Sequence, residues 1–92
     1  MRVKYRTWCR VPVDSALIYE VEECELVETL PFTPAVGQRL KVTPNGQHQR
    51  VSEVLWDMND PRHLVVWFEE PASRVEMPWA AAMQSEGWRV CS

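Results

Sequence analysis

His63-Leu64-Val65-Val66-Trp67-Phe68 is the most apolar run in the chain, and it has the length of a single strand. Alternate side chains of an extended segment point to opposite sides, so Leu64, Val66 and Phe68 form one face and Val65 and Trp67 the other. Both faces are apolar. Such a strand belongs inside a sheet, because at an edge it would expose hydrophobic surface and unpaired backbone together. It also calls for cover on its second face.

The segments before it read as strands and turns. Asp57-Met58-Asn59-Asp60-Pro61 is a turn cluster, and His48 to Trp56 is the strand that enters it. Val51 and Val54 have opposite parity, so this strand either bulges at Ser52-Glu53 or is covered on both faces. Thr43-Pro44-Asn45-Gly46 predicts a tight hairpin turn, with proline at the second position and glycine supplying positive φ. It would join Leu40-Lys41-Val42 to the strand from His48. Leu30-Pro31-Phe32-Thr33-Pro34 is a connecting arch, since its two prolines lack backbone donors and force extended geometry on their predecessors.

At the start of the chain Val3, Tyr5, Thr7, Cys9 and Val11 share one parity and Arg2, Lys4, Arg6 and Arg10 the other, with Trp8 intruding on the basic side. This predicts a half-buried strand with a basic outer face. After Pro12, Asp14 and Ser15, an acidic strand follows from Ala16 to Leu30, with an expected break near Glu22-Glu23 where the alternation slips. Paired as a hairpin, the two strands would bring basic and acidic faces together, each ion pair contributing a few tenths of a kcal/mol, roughly. Towards the other end, Pro78 suits a first helical position, Trp79 and Met83 share a face at i and i+4, and Ala80 to Ala82 favour helix. Gly87 stands where a left-handed terminator belongs, with Trp88 placed to close on Met83 before a final strand, Trp88 to Cys91. This helix is the expected cover for the apolar strand.

At 92 residues the chain has room for one core and one domain, residues 1–92, and its 46% hydrophobic and 25% charged content is that of a globule. The polar alternation at the start argues against a secretory signal, and the absence of any apolar run of about 18 residues argues against a membrane span. Cys9, Cys24 and Cys91 are odd in number and widely spaced, which fits buried thiols of a cytoplasmic protein better than disulfides or zinc ligands. The net charge of −3 gives no reason to expect a nucleic-acid partner.

Groups that could carry chemistry are few. His48 and His63 flank strands and could meet a cysteine, and Asp57, Asn59 and Asp60 form an oxygen-rich loop without the glycine and distal glutamate of a calcium site. Turn chemistry accounts for that loop more simply. Gly37, Gly46 and Gly87 are isolated, so no phosphate-binding loop is formed. Nothing in the sequence calls for a metal or a cofactor. The one compositional excess is five tryptophans, which a core of this size cannot easily absorb with their indole N–H groups satisfied. Trp79 and Trp88 are expected to seal the helix. Trp8, Trp56 and Trp67, with Val65, are the candidate interface or ligand-binding residues.

Leu30-Pro31-Phe32-Thr33-Pro34-Ala35-Val36-Gly37, Val51-Ser52-Glu53-Val54-Leu55-Trp56-Asp57 and Glu86-Gly87-Trp88 give the last two thirds of the chain a further reference point. There it resembles small uncharacterised bacterial proteins encoded on mobile integron gene cassettes. The resemblance implies a compact, often self-associating β-barrel and carries over no catalytic residue. The expected fold is therefore mainly β: a small antiparallel, partly open, SH3-like barrel of five or six strands with one short helix before the last strand. The expected role is a non-enzymatic interaction module forming a homodimer or higher oligomer. The alternatives are a small-molecule-binding protein with an aromatic-lined pocket and, last, a small hydrolase-like enzyme with a Cys-His or Asp-rich site.

Overall fold

The structure, a computed structural model, describes residues 1–42 and 48–91, with backbone alone for residues 15–17. Six strands and one helix follow in the order β1 (Arg2–Val13), β2 (Ser15–Thr29), β3 (Arg39–Lys41), β4 (His48–Trp56), β5 (Leu64–Phe68), α1 (Ala80–Ser85) and β6 (Arg89–Val90). They make one open sheet in the spatial order β3-β4-β5-β1-β2-β6, mainly β with the short helix before the last strand, as the sequence predicts. The expected Thr43–Gly46 turn lies outside the described residues.

β5 takes an interior position between β4 and β1. Its pairing with β1 is parallel, in the register Val3↔Leu64 to Arg6↔Trp67, whereas the remaining neighbours are antiparallel. The sheet is thus mixed rather than antiparallel throughout. Turn residues report the direction of consecutive strands, but β1 and β5 are joined through three other strands, and no local signal fixes their relative sense. The outermost strands are short, three residues in β3 and two in β6, and β6 pairs only the Cys24-Glu25 stretch of the long β2.

β1 turns into β2 at Asp14, whose φ of +53° is a value that aspartate tolerates better than most residues. β2 is continuous through Glu22-Glu23, contrary to the expected break. Its register against β1 runs without a shift from Arg2↔Thr29 to Pro12↔Tyr19. The alternation slips because Cys24 and Leu26 face one side while Val21 and Val27 face the other, so each face of β2 carries apolar residues. In β4 the shift between Val51 and Glu53 is the bulge that the valine parity predicts, and it sets Val51 opposite Phe68 and Val54 opposite Val66.

The core lies on the face of Val3, Tyr5, Cys9, Cys24, Leu64, Val66 and Phe68. Tyr5 stacks on Phe68 with centroids 5.4 Å apart, and burial, helped by the Glu28 charge, pushes its hydroxyl up to about 12. Ala80 and Met83 of α1 and Trp88 complete this cluster. The helix ends as its sequence predicts: Gly87 has φ +99°, its N–H donates to the Gln84 carbonyl, and the Trp88 N–H donates to the Met83 carbonyl. The other end differs. Trp79 is the extended residue preceding the helix, and Pro78 lies against β1, its carbonyl accepting the Arg10 N–H at 2.9 Å. Trp79 and Met83 therefore do not share a helical face. The helix packs on the Leu64, Val66 and Phe68 side of β5, while on the other side Val65 is buried and Trp67 half-buried.

Candidate functional site

The strand registers collect a second set of side chains on the face opposite the core. Lys4, Arg6, Trp8 and Arg10 of β1 lie beside Val27, Glu25, Glu23 and Val21 of β2 on one flank. On the other flank are Val65 and Trp67 of β5, followed by Leu55 and Glu53 of β4. Trp8 and Trp67 meet at its centre with centroids 5.6 Å apart and planes inclined by 35°, an arrangement contributing about 0.5–1.5 kcal/mol beyond area burial. Both rings are half-buried, and Val65 beside them is 5% exposed. Three of the four residues singled out from the sequence thus share one surface.

Trp56 does not join them. It pairs with Leu64, which pairs with Val3, so it lies on the core side of the sheet, at an end where it is 58% exposed. The bulge at Ser52 sets this outcome, since one extra residue reverses the parity of everything after it.

The aromatic surface continues in a direction that sequence reading missed. The Arg10 guanidinium stands 4.1 Å from the Trp79 ring centroid and 5.5 Å from that of Tyr19, and the two rings make an edge-to-face contact at 5.8 Å. No carboxylate pairs with Arg10 among the described residues, and its Nε has no hydrogen-bond partner there. The cation is held by aromatic faces. The odd numbering of Tyr19, shared with Val21 and Glu23, was the available signal for its place on this face, but Trp79 was hidden by its proximity to the helix.

Charge on this face is largely neutralised internally. Arg6 donates to Glu23 at 3.0 Å and to Glu25 at 3.2 Å, and Arg89 also donates to Glu25. Burial of Glu25 opposes its ionisation, but the Arg89 hydrogen bond and the charges of Arg89, Lys4 and Arg6 outweigh it and hold the carboxyl below its usual range. Basic β1 and acidic β2 do therefore answer each other as their sequences predict.

The remaining candidate groups are placed as follows. His63 Nδ1 lies 3.0 Å from Asp60, which also accepts from Lys4; these two hydrogen bonds bring the Asp60 carboxyl down to about 2. His63 Nε2 is buried and has no partner among the described residues. His48 is exposed. Asp57 accepts the Asn59 N–H at 2.8 Å, the self-bonded turn that its composition predicts. Cys9 and Cys24 are buried free thiols, and Cys91 is half-buried; burial pushes all three upward. No helix among the described residues is long and apolar enough to cross a membrane.

No protein-family model matches the chain, and no curated protein or solved structure matches it.

Proposed function

We propose that the chain is a non-enzymatic interaction module that associates with copies of itself through the sheet face centred on Trp8, Trp67 and Val65. The observation that carries the reading is the half-buried Trp8–Trp67 pair on the sheet face opposite the core cluster and its helix. Buried, rigid aromatic surface contributes most per residue to protein interfaces. Here it is flanked by Val21, Leu55 and the 45% exposed Val27. Pairing through the long outer edge of β2 is the competing geometry, but that strand carries Glu20, Glu22, Glu23, Glu25 and Glu28, and two copies would set like charges together.

The sequence resemblance to cassette-encoded proteins, with the self-associating SH3-like barrel that it implies, belongs to the same proposal, and a cytoplasmic setting suits three free thiols. Sedimentation at tens of micromolar tests the proposal. The wild type should form dimers or higher species, and Trp67→Arg should abolish them while retaining the native circular dichroism spectrum. A wild type that stays monomeric, or assembly unaffected by Trp67→Arg, would refute it.

A further inference from the structure

Of the charged side chains around the Trp8–Trp67 pair, Lys4 is engaged by Asp60, and Arg6 by Glu23 and Glu25. Arg10 and Glu53 share that face and have no ion-pair partner among the described residues. Their settings differ. Arg10 is half-buried, with its guanidinium 4.1 Å from the Trp79 ring centroid and its buried Nε lacking a hydrogen-bond partner, whereas Glu53 is exposed on β4. An apolar surface laid over Trp8 would take this guanidinium out of water with no anion beside it, which strongly opposes contact. A surface that covers Trp8 must therefore bring a carboxylate to Arg10.

The position of Glu53 answers that need. Arg10 stands two residues beyond Trp8 on β1, and Glu53 one strand beyond Trp67, offsets of roughly 7 Å and 5 Å in ordinary strand geometry. The cation and the carboxylate thus lie on opposite sides of the tryptophan pair at similar reach. A two-fold axis running along the face between Trp8 and Trp67 lays one side over the other.

We propose that two copies pack face to face about such an axis, with Arg10 of each copy bound to Glu53 of the other. This rests on the self-association proposed above and adds its symmetry and its charge pairing. The two bridges are equivalent, as an interface of this kind requires. The Trp79 and Tyr19 rings already hold the guanidinium, so little side-chain freedom is lost when the carboxylate arrives.

Charge-reversed variants and their mixture test the arrangement by sedimentation at tens of micromolar, with circular dichroism checking the fold. Arg10→Glu and Glu53→Arg each set like charges together twice in their own dimer, and each should weaken self-association about tenfold or more. Mixed in equal amounts, they should dimerise within about threefold of the wild-type affinity, because each copy then offers the charge that the other needs. Glu20→Arg, an equal charge change on the core side of the sheet, should associate like wild type. Glu53→Arg alters an exposed position and carries the test by itself where Arg10→Glu loses the native spectrum. The arrangement alone is overturned, with the face retained, where Trp67→Arg abolishes dimers but Glu53→Arg associates like wild type, where Glu20→Arg weakens association equally, or where the two folded variants stay monomeric when mixed. A monomeric wild type overturns the face and the arrangement together.

Discussion

Replacing Glu25 with glutamine keeps the shape of a side chain that is 6% exposed while removing the charge that Arg6 and Arg89 share. Charge-assisted hydrogen bonds are roughly twice as strong as neutral ones, about 1.5–3 against 0.5–1.5 kcal/mol. The Arg6 bond lies in a partly buried setting and should lose about 1–1.5 kcal/mol. Arg89 is 76% exposed, so solvent screening limits its loss to a few tenths of a kcal/mol, roughly. The sum is about 1–2 kcal/mol, a large share of the ~5–14 kcal/mol expected for a domain of this size. In urea this moves the midpoint down by roughly 0.5–1 M at a slope of about 2 kcal/mol/M.

The pH dependence separates this account from simple loss of packing. The folded Glu25 carboxyl titrates below its ordinary value of 4.5, so its contribution is fully present above that pH and disappears as pH falls through the folded value. Protonated wild type then resembles the glutamine variant. The gap between the two, followed by urea unfolding, should be constant near neutrality and close below pH 4.5. Asp60, which titrates down at about 2, is present in both proteins and cancels from the difference. A variant as stable as wild type at neutral pH, or a gap that persists unchanged into acid, would refute the assignment.

Gly87→Ala should destabilise by about 1–2 kcal/mol in thermal unfolding. The added Cβ meets only Leu26 at an ordinary 3.5 Å, so a φ of +99° is the source of the strain. Val66→Ala, at a fully buried position in the interior strand, should cost about 2–3 kcal/mol at any protein concentration. Val65→Ala, also buried, should lose packing energy too and add a deficit that grows with protein concentration, because its neighbours belong to the proposed assembly surface. With a thiol reagent near pH 8, half-buried Cys91 should react first, and Cys9 and Cys24 should follow only at the rate of unfolding. Above pH 10 stability should fall further as pH approaches 12, since folded Tyr5 resists the ionisation that its unfolded form accepts.

Half of the candidate surface was legible because it rests on local parity. Lys4, Arg6 and Trp8 alternate with Val3, Tyr5 and Thr7, so their common face follows from the geometry of any strand. Trp8 and Trp67 could be assigned to outer faces separately, but their contact needs the parallel register Arg6↔Trp67. The face of Trp56 was not legible, because the sequence places the bulge at Ser52-Glu53 only as one of two options and so leaves the parity beyond it open. A cleft beside α1, lined in part by Thr7, Glu76 and Trp88, was not legible at all. Thr7, Glu76 and Trp88 come from three distant segments, and no spacing links them.

The residues of the chain by themselves determined the strands that form β1, β4 and β5, the interior place of β5, and that Gly87 would end a helix closed by Trp88 on Met83. These features follow from alternation, proline and glycine stereochemistry and helix propensity, all of which act over a few residues. Tertiary structure alone decided that β1 and β5 run parallel, that the helix packs on the Val66 side of β5, and that Trp79 turns to Arg10 rather than to Met83. Those outcomes depend on which distant surfaces bury each other with least unpaired backbone, a choice made by the whole chain at once.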